Sequence, residues 1–167
     1  GDPTMNIPIC TDLGYQDYPT IVNDGFGGAI ITWQDFRNGN YDIYVQCIDS
    51  EGIVQWQENG VPICNVDGDQ SLPIIVSDGV GGSVITWRDL RHGNADIYAQ
   101  RVNSEGIAQW EVDGVPICTA VNDQSSPTIV SDGFGGAIIA WEDKRSGNNF
   151  DIYARRVNSQ GIVQWSE

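Results

Sequence analysis

Positive charge is scarce in this sequence. Its 167 residues contain 8 Lys and Arg together against 23 Asp and Glu, a formal net charge of −15, and Lys144 is the only lysine. Binding to nucleic acid or to an anionic membrane surface depends on clustered lysine and arginine side chains. The charge balance therefore argues against nucleic acid and membrane surfaces as partners.

Long apolar runs and helical periodicity are missing as well. No apolar segment approaches the ~18–20 residues of a membrane-spanning helix, so we expect no membrane insertion. No stretch carries a capped apolar pattern with a 3.6-residue period. Short apolar runs between glycine and aspartate turns are typical of strands, and the sequence therefore predicts an all-β protein.

The sequence consists of three copies of one pattern about 54 residues long, as Trp33, Trp87 and Trp141 show. Each copy holds four short apolar runs, which in the first copy are 19–22, 29–33, 42–48 and 53–56. Residues 49–52 between the last two runs predict a hairpin. Four antiparallel strands per repeat are typical of a β-propeller blade. We therefore predict blades over residues 11–64, 65–118 and 119–167, with residues 1–10 completing the last blade.

Three blades are too few for a propeller ring, which normally contains 4 to 8. We expect a second copy of the chain to complete a six-bladed ring as a homodimer, because closure removes exposed sheet edges. Alternatively, the three blades belong to a longer array of repeats. The alternative fold is a β-trefoil-like threefold closure of one chain. The sequence argues against a trefoil, because Gln55 and Trp56 are adjacent, whereas trefoil lectins have a Gln-x-Trp motif.

The pattern resembles two groups of propeller repeats. Asp24 to Gly39 is similar to the D-G-x-G-G-x-x-x-x-W-x-D-x-R-x-G repeat of large secreted bacterial surface proteins, and Gly52 to Trp56 resembles the outer strand of quinoprotein-like repeats. The resemblance covers nearly the whole chain. It implies a propeller that is extracellular or at the cell surface, and it implies no activity. The chain has no adjacent cysteine pair, so a quinone cofactor is not expected.

A tryptophan followed by x-Asp-x-Arg occurs in every repeat. An aromatic platform beside a carboxylate and a guanidinium is a common way to hold a sugar. Our leading hypothesis is therefore a non-enzymatic binding or adhesion module for glycans, with a site in each blade. The alternative is a structural, self-assembling repeat in which the ion pair fixes a turn. The candidate ligand-binding residues are Trp33, Asp35, Arg37, Trp87, Asp89, Arg91, Trp141, Asp143 and Arg145.

The groups of a catalytic triad are absent. His92 is the only histidine, and it occupies a turn position that holds Asn38 and Ser146 in the other repeats. Without a second histidine or a recognisable nucleophilic serine or cysteine, no catalytic triad can be proposed. We therefore expect no catalytic residues and a protein that is not an enzyme. A glycoside-cleaving carboxylate pair stays open as an alternative, because such pairs are defined by their separation in space.

Metal ligands and cysteines give two further expectations. Acidic turns such as 67–69 make calcium a possible cofactor, because hard cations prefer clustered oxygens. The first repeat lacks this turn, so we predict no metal site and no cofactor. Cys47 stands where the other repeats have arginine, and a disulfide from Cys47 to Cys10 or Cys64 is a candidate in an oxidising compartment.

Overall fold

The three repeats form three antiparallel β-sheets. The computed structural model describes residues 6–165, and none of these residues is helical. The first sheet contains β1 (Gln16–Asn23), β2 (Ala29–Asp35), β3 (Asp42–Ile48) and β4 (Val61–Cys64). The second contains β5 (Gln70–Ser77), β6 (Ser83–Asp89), β7 (Asp96–Val102) and β8 (Val115–Cys118), and the third contains β9 (Gln124–Ser131), β10 (Ala137–Asp143) and β11 (Asp151–Val157). The all-β prediction is confirmed.

Two predicted blade segments extend beyond this range. Residues 1–5 of segment 1–10 and residues 166–167 of segment 119–167 lie outside the described residues. Among the residues that the structure describes, there is no helix long and apolar enough to cross a membrane.

The prediction of the fourth strand is wrong. Residues 53–56 form only an isolated bridge, between Ile48 and Val54, and the fourth strand is β4. The buried side chain of Gln46 explains the difference. Its Oε1 accepts a hydrogen bond from the Trp56 backbone N–H at 3.0 Å, and its Nε2 donates to the Gln57 carbonyl at 2.6 Å. Backbone groups that would continue a ladder are therefore bound by a side chain.

The first strand of each sheet is longer than the sequence predicts. It begins at Gln16 in the first repeat and passes through a bulge between Asp17 and Thr20. Tyr18 takes a positive φ of 51° in this bulge, and Leu72 and Ser126 do the same in the other repeats. A bulge accommodates the proline that follows, because proline has no N–H to offer the ladder.

The sheets stack face to face in chain order, and β1, β5 and β9 lie next to one another along the stack. One core cluster includes Ile30 and Val45 of the first sheet with Trp87 of the second. The other includes Val84 of the second sheet with Trp141 of the third. The first and third sheets therefore pack on opposite faces of the second sheet, and residues 6–165 do not form a β-trefoil-like closure.

Candidate functional site

The Trp-x-Asp-x-Arg sets form compact hydrogen-bonded clusters. In the second sheet the Trp87 Nε1–H donates to Asp89 Oδ2 at 2.8 Å, and the Arg91 Nε–H donates to Asp89 Oδ1 at 2.9 Å. The Arg91 guanidinium lies 3.9 Å from the centre of the Tyr98 ring and donates to the Asp113 carbonyl. Each carboxylate thus joins the end of one strand to the turn that follows it.

All three sets share the hydrogen bonds between tryptophan, aspartate and arginine and the guanidinium over the tyrosine ring, and their tryptophans are almost completely buried. Trp33, Trp87 and Trp141 are 3%, 0% and 3% exposed, and each indole stacks on a tyrosine of the neighbouring strand. Burial alone would raise the pKa of Asp143, but hydrogen bonds from Arg145 and Trp141 outweigh it and lower this pKa to about 2. These contacts account for the recurring motif as a structural element. Ligand binding by the nine residues stays a prediction, and a sugar could not stack on the buried indoles without local opening.

The candidate disulfide from Cys47 to Cys10 or Cys64 is not formed. All four cysteines are free thiols. Cys10 and Cys64 each contact the arginine of a Trp-x-Asp-x-Arg set, at 3.2 and 3.1 Å from Nη2. The Cys47 thiol instead donates to the Ile48 carbonyl at 3.8 Å, and burial raises the pKa of this thiol to about 11. Among the described residues no group of three or more His, Cys, Asp or Glu could hold a metal ion.

His92 leaves a neighbouring carboxylate oxygen without a partner. In the first repeat Asn38 Nδ2 donates to Asp42 Oδ2 at 2.8 Å. His92 occupies the same position in the second repeat and hydrogen-bonds Tyr98 Oη instead, at 3.3 Å. Asp96 Oδ2 is therefore buried without a hydrogen bond from the described residues. Burial raises the pKa of Asp96 above its ordinary value.

We therefore expect His92→Asn to stabilise the fold. The asparagine would supply the missing hydrogen bond to Asp96 and raise the free energy of unfolding by about 1 kcal/mol, measured by urea denaturation. Asn38→His is the matched control, because it removes the equivalent bond from Asp42 and should have the opposite effect. An unchanged or lower stability of His92→Asn would contradict this account.

A second group of residues differs between the repeats although its surroundings are the same. We call it the variable rim. It lies where the first strands begin, at three equivalent positions in each repeat. Its members are Asp17, Gln34 and Tyr41 in the first repeat, Ser71, Arg88 and Ala95 in the second, and Ser125, Glu142 and Phe150 in the third. Asp17, Ser71 and Ser125 face their cross-strand partners Gln34, Arg88 and Glu142.

At the junction of the first two sheets, the rim brings two carboxylates to one tyrosine. The Tyr41 hydroxyl donates to Asp17 Oδ2 at 3.1 Å, and the Tyr41 backbone N–H donates to Asp69 Oδ1 at 3.0 Å. Partial burial and the Asp17 carboxylate raise the pKa of Tyr41. Gln34 Oε1 accepts from the Leu72 N–H at 3.0 Å and so links the two sheets.

The rim has a further carboxylate in the third sheet, and two exposed tyrosine rings adjoin it in the first. In the third sheet Ser126 Oγ donates to Glu142 Oε2 at 3.2 Å. Tyr15 and Tyr18 beside Asp17 are 71% and 61% exposed. Exposed aromatic rings next to carboxylates can stack on a sugar ring and bind its hydroxyls. The two tyrosines that adjoin the rim therefore have the accessible ring faces that the buried tryptophans lack.

The sequence prediction missed this rim because it searched for residues that recur. A residue present in every repeat is usually needed for folding. Gln34, Arg88 and Glu142 occupy equivalent positions between the same tryptophan and aspartate, and they are neutral, positive and negative. Differences between repeats at positions flanked by identical residues are the signal that could have found the site.

The fold is similar to those of two solved structures. One is an endo-arabinase from Bacteroides thetaiotaomicron, with a TM-score of 0.57 and 17% identity over 92% of this chain and 64% of that chain. The other belongs to the GH130 family of mannoside phosphorylases, which contains glycoside hydrolases that target β-1,2 mannosidic linkages in Candida mannan. Its TM-score is 0.51, with 13% identity over 92% of this chain and 52% of that chain.

This chain therefore spans less than two thirds of the length of either neighbour, and at these identities the likeness concerns the fold. No protein-family model matches the chain, and no curated protein matches it.

The neighbours contradict the expectation that this protein is not an enzyme, since both are carbohydrate-active enzymes. That expectation relied on the absence of a histidine-based triad. Cleavage of a glycosidic bond needs no histidine, because two carboxyl groups can supply the acid and the base or nucleophile. Carboxyl groups are abundant in this chain, and their spatial arrangement could not be seen in the sequence.

Proposed function

We propose that this protein acts on carbohydrate as a glycoside-cleaving enzyme, with the variable rim as its sugar site. The observation that carries the proposal is the placement of Asp17, a carboxylate that does not recur between repeats, next to the exposed Tyr15 and Tyr18, with a second non-recurring carboxylate, Glu142, on the third sheet. The likeness to two carbohydrate-active folds over 92% of the chain supports it.

The rim and the two tyrosines that adjoin it have separate roles in this proposal. Tyr15 and Tyr18 offer ring faces to the sugar, which supply apolar contact and orientation. Asp17, held by the Tyr41 hydroxyl, and Glu142 are the carboxyl groups from which a catalytic pair would be drawn. Arg88, on the sheet between them, is a donor for sugar hydroxyls.

The proposal includes a finer assignment of the fold and of its place. We infer that the sheets are blades of a β-propeller, completed to six by a second chain, of the kind found in secreted bacterial surface proteins. Support comes from one sheet per repeat, stacked in order with the first strands adjacent. A location outside the cell or at its surface fits an activity on polysaccharides.

Sugar release from polysaccharides tests the function. We expect the protein to release reducing ends from at least one member of a panel that includes arabinan and mannan, assayed with and without inorganic phosphate. Asp17→Asn and Glu142→Gln should each lower the rate by about 100-fold or more, as expected for loss of an acid or base group. Asp67→Asn, which changes an exposed carboxylate in a nearby turn, is the matched control and should leave the rate unchanged.

Two results would count against the proposal. If no member of the panel is cleaved and a glycan array stays blank, the carbohydrate function fails. If glycans bind without cleavage, and Asp17→Asn weakens that binding, the rim stands as a sugar site and the enzymatic part of the proposal fails.

A further inference from the structure

The two junctions between sheets are built from the same contacts. Between the first and second sheets, the Trp56 Nε1–H donates to the Ser104 carbonyl at 3.1 Å, and the indole lies against Gly106. Between the second and third, the Trp110 Nε1–H donates to the Ser159 carbonyl at 3.0 Å. Each sheet therefore has a trailing face, which carries this tryptophan, and a leading face, which receives the tryptophan of the preceding sheet.

The trailing face of the third sheet is exposed. Ile152 is 76% exposed, whereas Ile43 and Ile97 at the same position are 0% exposed. Trp165 is 53% exposed, whereas its counterpart Trp110 is 9% exposed. Within the described residues this sheet also has three strands where the others have four. The third sheet thus presents, without a partner, the apolar side chains that are buried at both internal junctions.

The leading face of the first sheet is exposed at the matching positions. Ile21 is 65% exposed, whereas its counterparts Ile75 and Ile129 are each 9% exposed. The segment 7–10 lies on this face. Its Cys10 contacts the first-sheet arginine Arg37 as Cys64, at the end of β4, contacts the second-sheet arginine.

The segment 7–10 also repeats the sequence of β4 with one conservative change, Ile-Pro-Ile-Cys against Val-Pro-Ile-Cys. Thr11, which follows it, donates its N–H to Asn59 Oδ1 at 3.0 Å, and Asn65, which follows β4, donates to Asp113 Oδ1 at 3.5 Å. Segment 7–10 therefore lies against the first sheet as β4 lies against the second. It occupies the position of the fourth strand of a preceding sheet.

We propose that a second copy of this chain covers both faces. The trailing face of the third sheet of one copy packs on the leading face of the first sheet of the other, and segment 7–10 joins β11 of the partner as its fourth strand. Two such contacts close a ring of six sheets from two chains, and at each contact segment 7–10 pairs with the exposed edge of β11. The apolar area exposed at both ends is the driving force.

The internal register predicts the pairs across this contact. Cys64 is opposite Ile43 and Val61 is opposite Val45 where β4 joins β3. Cys10 should therefore lie opposite Ile152 of the partner subunit. Gly52 is equivalent to Gly106, which Trp56 contacts, but in the single chain Gly52 contacts Ile7. In the dimer, Trp165 of the partner subunit replaces Ile7 at Gly52.

This contact also completes the variable rim, a step that rests on the proposed function. Across the first junction, the Leu72 N–H donates to Gln34 Oε1. Tyr18 is equivalent to Leu72, and Glu142 is equivalent to Gln34. The second copy therefore brings Glu142 of the partner subunit to the backbone of Tyr18, next to Asp17. The two carboxyl groups of the proposed sugar site then come from two chains.

The mass in solution tests the contact. We expect light scattering to give about twice 18.3 kDa for the 167-residue chain at micromolar concentration. Ile152→Glu should give a folded monomer, because a carboxylate would be buried at the contact while the residue is exposed in the single chain. Val112→Glu, at a turn residue that is 82% exposed, is the matched control and should remain a dimer. A monomeric unmodified protein, a ladder of larger masses, or a dimeric Ile152→Glu would each overturn the proposal.

A cross-link tests the register. Opposite residues of paired strands have Cα atoms ~4.5–5.5 Å apart, within the range for a disulfide. Ile152→Cys should therefore give a covalent dimer with Cys10 under mild oxidation, and adding Cys10→Ser should remove it. No covalent dimer, or one that persists with Cys10→Ser, would overturn the register. Neither readout involves sugar turnover, so a cross-linked dimer without activity would count against the proposed function alone.

Discussion

Replacing Asp89 with alanine is expected to lower the free energy of unfolding by about 3–5 kcal/mol. The carboxylate is completely buried and accepts hydrogen bonds from the Trp87 indole and from the Arg91 side chain and backbone. Without it, the buried indole N–H loses its acceptor and the partly buried guanidinium loses its carboxylate. Urea denaturation followed by tryptophan fluorescence measures the loss.

Two further variants show which property of Asp89 matters. Asp67→Ala removes an exposed carboxylate and should change the stability by less than about 0.5 kcal/mol. Asp89→Asn keeps the size and one acceptor oxygen but removes the charge, and its amide N–H₂ cannot accept from Trp87 or Arg91. We expect it to lie between the other two. If Asp89→Ala were as stable as Asp67→Ala, the hydrogen-bonded cluster would not be a structural element.

Replacing Gly82 with alanine is expected to cost about 3 kcal/mol of stability, the upper part of the range for overpacking. A Cβ atom at this position would lie 2.2 Å from the Val102 carbonyl oxygen and 2.7 Å from Asp78 Oδ2. The carbonyl belongs to the backbone of β7, and Arg101 holds the carboxylate at 2.8 Å from Nη2. Neither group can move away without breaking strand pairing or the ion pair.

Gly79 in the same turn is the matched control. Its φ is 84°, and a Cβ atom there would meet no other atom within 4 Å. Gly79→Ala therefore adds only backbone strain, about 1 kcal/mol. Thermal unfolding of both variants separates a steric clash from strain. Equal losses for the two variants would mean that the close approach at Gly82 is relieved by small shifts.

Strand positions could be predicted from the sequence where the hydrogen bonds are made by the backbone alone. Residues 42–48 were predicted as a strand with the bounds that the structure gives β3. The fourth strand could not be found, because its choice depends on the Gln46 side chain, which binds the backbone of Trp56 and Gln57. A glutamine whose side chain binds the backbone of a neighbouring segment does not change the alternation of apolar and polar residues from which strands are predicted.

The candidate site shows the same limit. The tryptophan motif could be found from its repetition, but only the structure shows that Asp35 and its counterparts are completely buried. The meeting of Asp17 and Asp69 at Tyr41 joins residues from two repeats. Such a meeting depends on how sheets stack, and the pattern within one repeat does not contain that information.

The buried ion pairs also determine the electrostatic field outside the protein. Five arginines bind carboxylates of the fold, namely Arg37, Arg91, Arg101, Arg145 and Arg156. Within the described residues, Arg88, Lys144 and Arg155 are the basic side chains that form no such ion pair and offset the remaining acidic side chains. The surface potential is therefore strongly negative and repels polyanions such as uronic acid or sulfated polymers, most strongly at low ionic strength. Neutral polysaccharides are the class of polymer that can approach this surface without an electrostatic barrier.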